Sequence, residues 1–542
     1  MPVQPNPSES GAAAGSKLII GISFLAACFL LLPFYRYELT PDSITYLAIA
    51  KQYAAGYFSE AVSGYWAPLF SWLVAPLLVL HVPEILAAKI ICVAAAVFAL
   101  ISMHTLAGLY PMSTACRAAM LISGAIVIAS YAFEFTGPDL LFAALLLCYF
   151  RFIFDFRFPF ERRSGVYCGL LGGLAYLTKG YGLFFFGAHF ALFCALHWLR
   201  NKDREERAHL AKQFLSGLAV FFLIVLAWLI PLRAKYGFWT TGSTGTFNFR
   251  LVGPESSGYP HLRGLEAPPS PHATNAWQEP PVDRLKNWSI FANAFTRRHE
   301  GKLIGKDTKE AVYYWLHAAP LFVFLLIACL LFVKTKRDRW EWLSPLLTVV
   351  LFTSGYLLIT VEQRYLWLTA LLLLWMTFYG LDRCLRDQLI RYNVGYRVGY
   401  KELAILCLVG LSFAVEPLRH LHAHFRLDRA LYETSTQMHQ AIPPGSRLAS
   451  CNNWADSAYL AYELDARYFG TPWPTPDADE NAHALNPDYS GRPEPPNWDT
   501  LNEKLEAAGI QYFLVWPGCT QPPKGSEPQL LRVPLRREQV QK

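Results

Sequence analysis

Long apolar runs constrain this chain more than any other feature of its sequence. Such runs, each near the roughly 20 residues needed to cross a bilayer, recur through the first three quarters of the 542 residues. Composition agrees, because 53% of the residues are hydrophobic and only 16% are charged, whereas about a quarter of the residues of a soluble protein are charged. The sequence therefore predicts an all-α membrane protein with several spans.

We expect about eleven transmembrane helices from the lengths of these runs. They lie near residues 18–34, 85–109, 118–133, 138–150, 166–178, 181–199, 213–232, 314–333, 342–360, 365–381 and 403–418. No small-residue cleavage site follows the first run, so we interpret it as an uncleaved span. The apolar segment 67–82 is short and contains Pro68 and Pro76, which favours a partial or interfacial helix.

Basic residues cluster in four short loops between these spans. The clusters are Arg151, Arg157, Arg162 and Arg163; Arg200, Lys202, Arg204, Arg207 and Lys212; Lys334, Lys336, Arg337 and Arg339; and Arg383, Arg386, Arg391, Arg397 and Lys401. Short loops rich in Lys and Arg stay in the cytoplasm, and all four share one side if segment 67–82 does not cross. This topology puts the tail 1–17 inside, and the loops 35–84 and 233–313 and the terminal region 419–542 outside.

The formal charge of +7 does not indicate a nucleic-acid-binding protein. The Lys and Arg residues are divided among these short loops and do not form one continuous basic face, and no nucleic-acid-binding motif is recognisable.

The region 419–542 predicts a small extracytoplasmic α/β domain. Leu501–Ala508 is typical of a helix that ends at Gly509, and Ile510–Trp516 of a buried strand. Arg447–Ser450 is a second candidate strand. Cys451 and Cys519 could pair if this region is exposed to an oxidising compartment.

Ionisable residues next to the spans gather on the predicted outer side. They are Asp42, Glu134, Asp139, Lys179, Glu362 and Arg364. Charged groups at membrane depth are costly and tend to be functional. Asp42 has a second interpretation, since either Thr40 or Asp42 could cap the amphipathic helix that begins there. His420, His422 and His424 alternate after the last span, where a structural role is more usual than metal binding.

Five segments, in this order, resemble the GT-C glycosyltransferase superfamily. They are TPDSITYLAIAKQ, GYWAPLFSW, GPDLLFAALLL, GLLGGLAYLTKGYGL and EQRYLWLTALLLLW. The likeness covers roughly residues 18–380 and points to glycosyltransferase family 39 in the broad sense. That branch includes lipid A aminoarabinose transferases, protein O-mannosyltransferases and galacturonosyl transferases of the lipopolysaccharide core.

The resemblance implies a catalytic carboxylate in the first outward loop, which is Asp42 here. Asp139 matches the acidic residue of the second outward loop, and Glu134 is a nearby candidate. Lys179 matches a basic residue that lies near the lipid phosphate in relatives, and Arg364 is a second candidate phosphate partner.

Glu362 is a candidate supporting residue because it lies beside Arg364. The resemblance also implies a reaction. A sugar moves from a polyprenyl-phosphate donor to a hydroxyl of a lipid, glycan or protein acceptor, with inversion of the anomeric centre. Basic residues or a divalent cation would hold the phosphate as charge develops. We expect this activity on the outer face of a bacterial inner membrane.

One segment departs from the family pattern. Relatives with an aminoarabinose donor carry a Glu-Lys-Pro-Pro run where this chain has Tyr65, Trp66, Ala67 and Pro68, so the resemblance does not extend to that donor. Tyr65 and Trp66 could stack on a sugar or belong to an interfacial aromatic belt.

A transporter or flippase of lipid-linked sugars is the alternative function, because it would also collect charge at one membrane face. Against it stand the lack of inverted-repeat symmetry and the size of the loop 233–313. A third alternative is an inactive scaffold, in which the charged cluster would tolerate neutral substitutions.

Overall fold

The computed structural model describes residues 7–161, 163–321, 323–325, 327, 331, 335–391, 399–424, 427–491, 500–517, 519 and 529–532. Helices dominate as far as residue 438. In chain order they are α1 (Pro7–Tyr35), α2 (Pro41–Ala54), α3 (Phe58–Ala61), α4 (Leu69–Val79), α5 (Glu84–Ala107), α6 (Thr114–Glu134), α7 (Asp139–Ile153), α8 (Ser164–Thr178), α9 (Tyr181–Arg200), α10 (Arg204–Tyr236), α11 (Thr244–Leu251), α12 (Ala294–Ala318), α13 (Lys336–Tyr356), α14 (Trp367–Arg391), α15 (Tyr400–Ser412), α16 (Val415–His424) and α17 (Leu427–Met438).

Within the described residues, six helices are long and apolar enough to cross a membrane. They are Lys17–Tyr35, Glu84–Ala107, Thr114–Glu134, Tyr181–Arg200, Arg204–Tyr236 and Gln363–Arg386. Each coincides with a predicted span, which confirms a polytopic protein. Other predicted spans coincide with shorter helices such as α7 and α8, and the span predicted at 314–333 lies partly outside the described residues. The total of about eleven therefore stays a prediction.

Segment 67–82 forms the helix α4, of 11 residues with Pro76 inside it. At about 1.5 Å per residue, this helix is roughly half as long as the hydrocarbon core of a bilayer, which is about 30 Å thick. Its length agrees with the predicted partial or interfacial helix.

Glycines allow α8 and α10 to pack backbone against backbone. A Cβ atom added to Gly165 would lie 2.0 Å from the carbonyl oxygen of Gln213, and one added to Gly169 would lie 2.1 Å from that of Gly217. Small residues let membrane helices approach this closely. The run of glycines in α8 therefore has a packing role.

The predicted basic loops come together at one end of the helices. Arg200 donates to the carbonyl oxygen of Phe156 at 2.6 Å, which joins the first two loops. Trp340 donates to the carbonyl oxygen of Phe154 at 2.8 Å, which joins the third loop to the first. Arg383 pairs with Asp338 at 3.1 Å and brings in the fourth loop. The prediction that the four loops share a side agrees with this packing.

The terminal region contains a four-stranded parallel sheet in the order β2-β1-β3-β4. Its elements are β1 (Arg447–Ser450), α18 (Trp454–Glu463), β2 (Arg467–Tyr468), α19 (Pro476–Leu485), α20 (Leu501–Ala507), β3 (Tyr512–Val515) and β4 (Gln529–Arg532). Gly509 follows α20 with a φ of +63°, a conformation that suits glycine. A disulfide joins Cys451 to Cys519, the pairing considered above for an oxidising compartment.

The loop 233–313 packs between this α/β domain and the first outward loop. The amide of Glu266 donates to the carbonyl oxygen of Phe469 at 2.7 Å, and that of Tyr468 donates to Thr274 at 2.7 Å. On its other side, the amide of Ser243 donates to the carbonyl oxygen of Gly64 at 2.6 Å. The loop and the domain thus form one cover over the end of the helices that lies opposite the basic loops.

Candidate active site

Asp42 lies in the first turn of α2, beneath this cover. Thr40 is the N-cap, since its hydroxyl accepts from the amide of Ser43 at 3.2 Å. Asp42 is therefore free of the capping role, and its carboxylate accepts two side-chain hydrogen bonds. The indole of Trp277 donates to Oδ1 at 2.8 Å, and the guanidinium of Arg364 donates to Oδ2 at 2.6 Å.

Arg364 lies in a short 3₁₀ turn, Gln363–Leu366, that leads into α14. Its Nε donates to Glu362 at 2.7 Å, so one guanidinium joins two carboxylates. The guanidinium also lies over the ring of Phe135, 4.2 Å from its centre. These contacts fix the planar group on three sides, an arrangement that a lysine could not reproduce.

Asp139 and Lys179 form a second ion pair, with Nζ 2.5 Å from Oδ1. Asp139 is the first residue of α7, and Lys179 directly follows α8. The ammonium lies over the ring of Tyr365, 3.7 Å from its centre, in a cation–π contact. Burial lowers the pKa of Lys179, while the Asp139 carboxylate opposes that shift.

Tyr365 connects the two ion pairs. It follows Arg364 in the chain, its hydroxyl donates to Glu362 at 3.2 Å, and its ring carries Lys179. Five of the six charged residues predicted from separate loops therefore form one cluster, here called the charged cluster, of Asp42, Asp139, Lys179, Glu362 and Arg364. Three acidic and two basic groups meet in it.

Aromatic side chains form a wall beside Asp42. The indole of Trp66 donates to the carbonyl oxygen of Trp277 at 3.0 Å. The ring of Tyr65 lies 5.2 Å from that of Trp277, and its hydroxyl donates to Asn248 at 3.1 Å. Trp66 is buried, with 6% of its surface exposed, which favours a place in the site for this pair over a place in a lipid-facing belt.

Glu134 lies in a neighbouring pocket. Its carboxylate is 3.4 Å from Nδ1 of His420, and Nε2 of the same ring is 3.1 Å from Glu416. Tyr131 and Gln363 line the same pocket. Unlike Asp139, Glu134 is therefore held by a histidine of α16. The side chains of residues 422 and 424 lie outside the described part of the chain.

Sequence reasoning missed a buried ion pair behind the charged cluster. Lys89, in α5, donates to Glu38 at 3.1 Å, and Thr136 donates to the same Glu38 oxygen at 3.2 Å. Both charged side chains are at most 7% exposed. A lysine inside an apolar run is costly to bury and indicates a functional or paired residue. This signal would have identified Lys89.

Trp277 and His261 were also missed, because they lie in a loop without periodicity. The His261 ring is 4.6 Å from the ring of Trp277 and 4.5 Å from that of Trp454, in α18. Burial lowers the pKa of His261 to about 3. The histidine is therefore neutral at physiological pH and packs as an aromatic ring between the loop and the α/β domain.

The donor set does not fit a metal ion held by protein side chains alone. Across the described ranges, no three His, Cys, Asp or Glu side chains are placed to hold one. In the charged cluster each of the two candidate carboxylates already faces a cation.

Comparison with known proteins identifies the fold. No protein-family model matches the sequence, and no curated protein matches it either. Among solved structures, ArnT from Cupriavidus metallidurans in the apo state matches with a TM-score of 0.52 at 15% identity, over 91% of each chain. The same protein bound to undecaprenyl phosphate matches with a TM-score of 0.54, at the same identity and coverage.

An identity of 15% shows the fold alone. The chain is thus a polytopic membrane protein with the same fold as ArnT, in agreement with the fold that its sequence motifs predicted. Over 91% of its length it is similar to ArnT, and the chemistry has to be argued from its own residues.

Proposed function

We propose that this protein is a membrane glycosyltransferase that moves a sugar from a polyprenyl-phosphate donor to a hydroxyl group of an acceptor. The observation that carries the proposal is the charged cluster, in which Asp42 and Asp139 meet Arg364 and Lys179 at one end of the helices. A structure with the same fold holds undecaprenyl phosphate, the lipid that is left when such a donor gives up its sugar, which supports a polyprenyl phosphate as the carrier of the donor sugar.

Asp42 is the proposed general base. A carboxylate that orients and deprotonates the acceptor hydroxyl contributes about a hundred- to ten-thousand-fold to the rate. Trp277 and Arg364 each bond one of its oxygens, and each oxygen has a second lone pair that can accept the proton. The two bonds fix the direction in which that lone pair points.

Arg364 and Lys179 are the proposed phosphate partners. The bond from the sugar to the phosphate oxygen breaks as the acceptor oxygen attacks, so negative charge grows on the phosphate and must be stabilised. Direct attack by the acceptor inverts the anomeric centre. Asp139 keeps Lys179 in place, since it holds the ammonium over the ring of Tyr365.

Donor binding tests these two roles. A hydrogen bond between charged groups contributes about 1.5–3 kcal/mol, so Arg364→Met or Lys179→Met should weaken undecaprenyl phosphate binding roughly ten- to hundredfold. Lys51→Met is the matched control. It removes a positive charge from α2, but that charge pairs with Glu84 at 3.0 Å outside the cluster. Unchanged affinity in both cluster variants would refute the assignment.

The proposed active face is extracytoplasmic, because the basic loops lie at the other end of the helices and such loops stay in the cytoplasm. Cysteines placed at the exposed positions Ser257 and Ser490, in a protein that keeps only the disulfide cysteines, should react with an impermeant maleimide in intact cells. A cysteine at exposed Glu205 should react only after permeabilisation. The reverse pattern would overturn this orientation.

Mass spectrometry of cell-envelope glycans with and without the gene tests the activity itself. The loss of one sugar substituent is expected, and it would identify donor sugar and acceptor together. An accumulated lipid-linked sugar on the inner leaflet, with purified protein unable to transfer it, would instead indicate a flippase.

A further inference from the structure

A pocket of about 190 Å³, lined mainly by polar residues, opens further along α2 from Asp42 and plays no part in the proposed chemistry. It lies between the second half of α2, the helix α3, the end of α10 and the segment 269–279. Its volume is below the roughly 300–1,000 Å³ of pockets for drug-sized ligands. The pocket therefore suits one small polar group and has no room for a lipid chain.

Gln52 supplies a buried acceptor in the wall of this pocket. Only 2% of the residue is exposed, and its Nε2 donates to the carbonyl oxygen of His272 at 3.2 Å. Within the part of the chain that the structure describes, its Oε1 has no hydrogen-bond partner. A buried acceptor without a partner is costly, and a ligand hydroxyl that reached Oε1 would remove that cost.

The other polar groups of the pocket nearly balance in charge. Glu279 pairs with Lys235 at 2.8 Å, and Glu60 contacts His272 at 3.1 Å. Both carboxylates thus have positively charged or hydrogen-bonding partners, while their remaining lone pairs can accept from hydroxyl groups. Such a lining favours a neutral ligand with several hydroxyls over an anion.

The pocket shares two walls with the surroundings of Asp42. Ile49 and Gln52 line it, and they follow Asp42 on the same helix by about 10 and 15 Å of helical rise. Gln278, also in the lining, directly follows Trp277, which bonds Asp42. A molecule held in the pocket would therefore lie roughly 10–15 Å along α2 from Asp42, close enough for one acceptor to extend from the pocket to the carboxylate.

The position of the pocket is at the level of the membrane surface. Lys235 lies in the last turn of α10, the helix of a candidate span. Phe58 and Trp239, which flank the region, are 63% and 62% exposed, as aromatic residues at the membrane–water interface are. A ligand would therefore reach the pocket along the membrane surface.

We propose that this pocket is an acceptor subsite that binds a neutral, hydroxylated sugar residue. That the bound sugar belongs to the acceptor rests on the proposed function, whereas the binding of a sugar does not. The sugar can belong to a free glycan or to the headgroup of a glycolipid, because both present the same hydroxyls to Gln52 and the two carboxylates.

Blocking the pocket at its mouth tests the proposal. Ser59 lines the pocket and is exposed, so Ser59→Trp should fill the entrance without disturbing the core. Ala55→Trp places the same side chain at an exposed position outside the lining and is the matched control. Gln52→Leu leaves the pocket open but removes the unpaired acceptor.

Binding is measured on the full chain in nanodiscs. The probes are methyl glycosides of glucose, galactose, mannose and N-acetylglucosamine, followed by saturation-transfer NMR, and glucosyl-diacylglycerol, followed by native mass spectrometry. We expect at least one probe to bind the wild-type protein and Ala55→Trp with equal affinity. The same probe should bind Ser59→Trp and Gln52→Leu at least tenfold more weakly. Binding of the methyl glycosides indicates that the sugar alone is recognised, and binding of the glycolipid alone indicates a membrane-anchored acceptor.

Two results would overturn the subsite. One is that none of these probes binds wild type, and the other is that the Ser59→Trp and Gln52→Leu variants bind as wild type does. Undecaprenyl phosphate affinity, measured on the same samples, should be equal in all four proteins. If sugar binding follows the pocket but wild type does not bind undecaprenyl phosphate, the subsite stands and the proposed donor fails.

Discussion

Replacing Asp42 with asparagine should stop sugar transfer while leaving the protein folded. Asparagine has the same shape, and its carbonyl oxygen can still accept from the indole of Trp277. It has no negative charge and cannot take a proton from the acceptor. Arg364 would lose its partner at 2.6 Å but keep Glu362 at 2.7 Å.

The expected loss of rate is much larger than the expected loss of stability. A missing general base costs about a hundred- to ten-thousand-fold in rate, or roughly 3–5 kcal/mol of barrier. Loss of a negative charge in the first helical turn costs about 0.3–1 kcal/mol of stability. Breaking a buried ion pair costs up to roughly 3–5 kcal/mol, but here the remaining bond to Glu362 limits the cost.

Thr40→Ala is the control for the capping interpretation. It removes the hydroxyl that accepts from the amide of Ser43, which should cost about 0.5–2 kcal/mol of stability without changing the chemistry. The assay is transfer from a polyprenyl-phosphate sugar by purified protein in nanodiscs, with thermal unfolding and donor affinity measured in parallel. If Asp42→Asn transferred sugar at more than about a tenth of the wild-type rate, Asp42 would not be the base.

Three further predictions concern Trp277, the disulfide of the α/β domain and His261. Trp277→Phe keeps the ring but removes the N–H bonded to Asp42 at 2.8 Å, so kcat should fall about tenfold with donor affinity unchanged; an equal loss in donor affinity would contradict a positioning role. Replacing Cys451 and Cys519 by serine should destabilise the α/β domain by about 4 kcal/mol in the chain-entropy model for a separation of 68 residues, seen as faster proteolysis of that domain in the double variant than in the intact protein. The pKa of His261 is about 3 in the folded protein, below its value in the unfolded chain, so the free energy of unfolding falls as the pH drops below about 6.5. Between pH 7 and pH 5 the wild-type protein should lose about 2 kcal/mol more of this free energy than His261→Gln. Equal losses in thermal unfolding would refute the burial of His261 as a neutral ring.

Hydrophobic length and loop charge were sufficient to predict the transmembrane part of the fold. An apolar run of about 20 residues has one stable solution in a bilayer, since every backbone polar group must be bonded within the helix. The helices α7 and α8, of 15 residues each, show the limit of this reasoning. Length alone does not separate a short span from a buried helix, so the number of spans stays a prediction.

The charged cluster was predicted because its residues share a signal that is visible in one sequence. Each is an ionisable side chain next to an apolar run, and the topology puts the runs' ends together. What could not be predicted was the pairing within the cluster. Whether Arg364 faces Asp42 or Asp139 depends on side-chain packing between loops that are hundreds of residues apart, as does the contact of Lys179 with Tyr365.

The loop 233–313 was the least predictable part of the site. It has few apolar repeats, so neither helical nor strand periodicity shows which of its residues turn inward. Trp277, for example, reaches Asp42 only because the loop is held between Gly64 on one side and the α/β domain on the other. Its functional residues are set by long-range contacts that leave no local pattern.

The pairing of the charged cluster has a consequence for the order of events at the site. Before a donor binds, Arg364 is shared between Asp42 and Glu362, and Lys179 is held by Asp139. In the proposed mechanism, a lipid phosphate would therefore compete with carboxylates for both cations. If the guanidinium turned to the phosphate, the Oδ2 atom of Asp42 would lose its cationic partner, and the carboxylate would become more basic towards the acceptor hydroxyl. Trp277 still holds Oδ1, so the carboxylate keeps its direction. The proposed base would then be most basic while the donor is bound, so activation of the acceptor would be coupled to the presence of the sugar that it attacks.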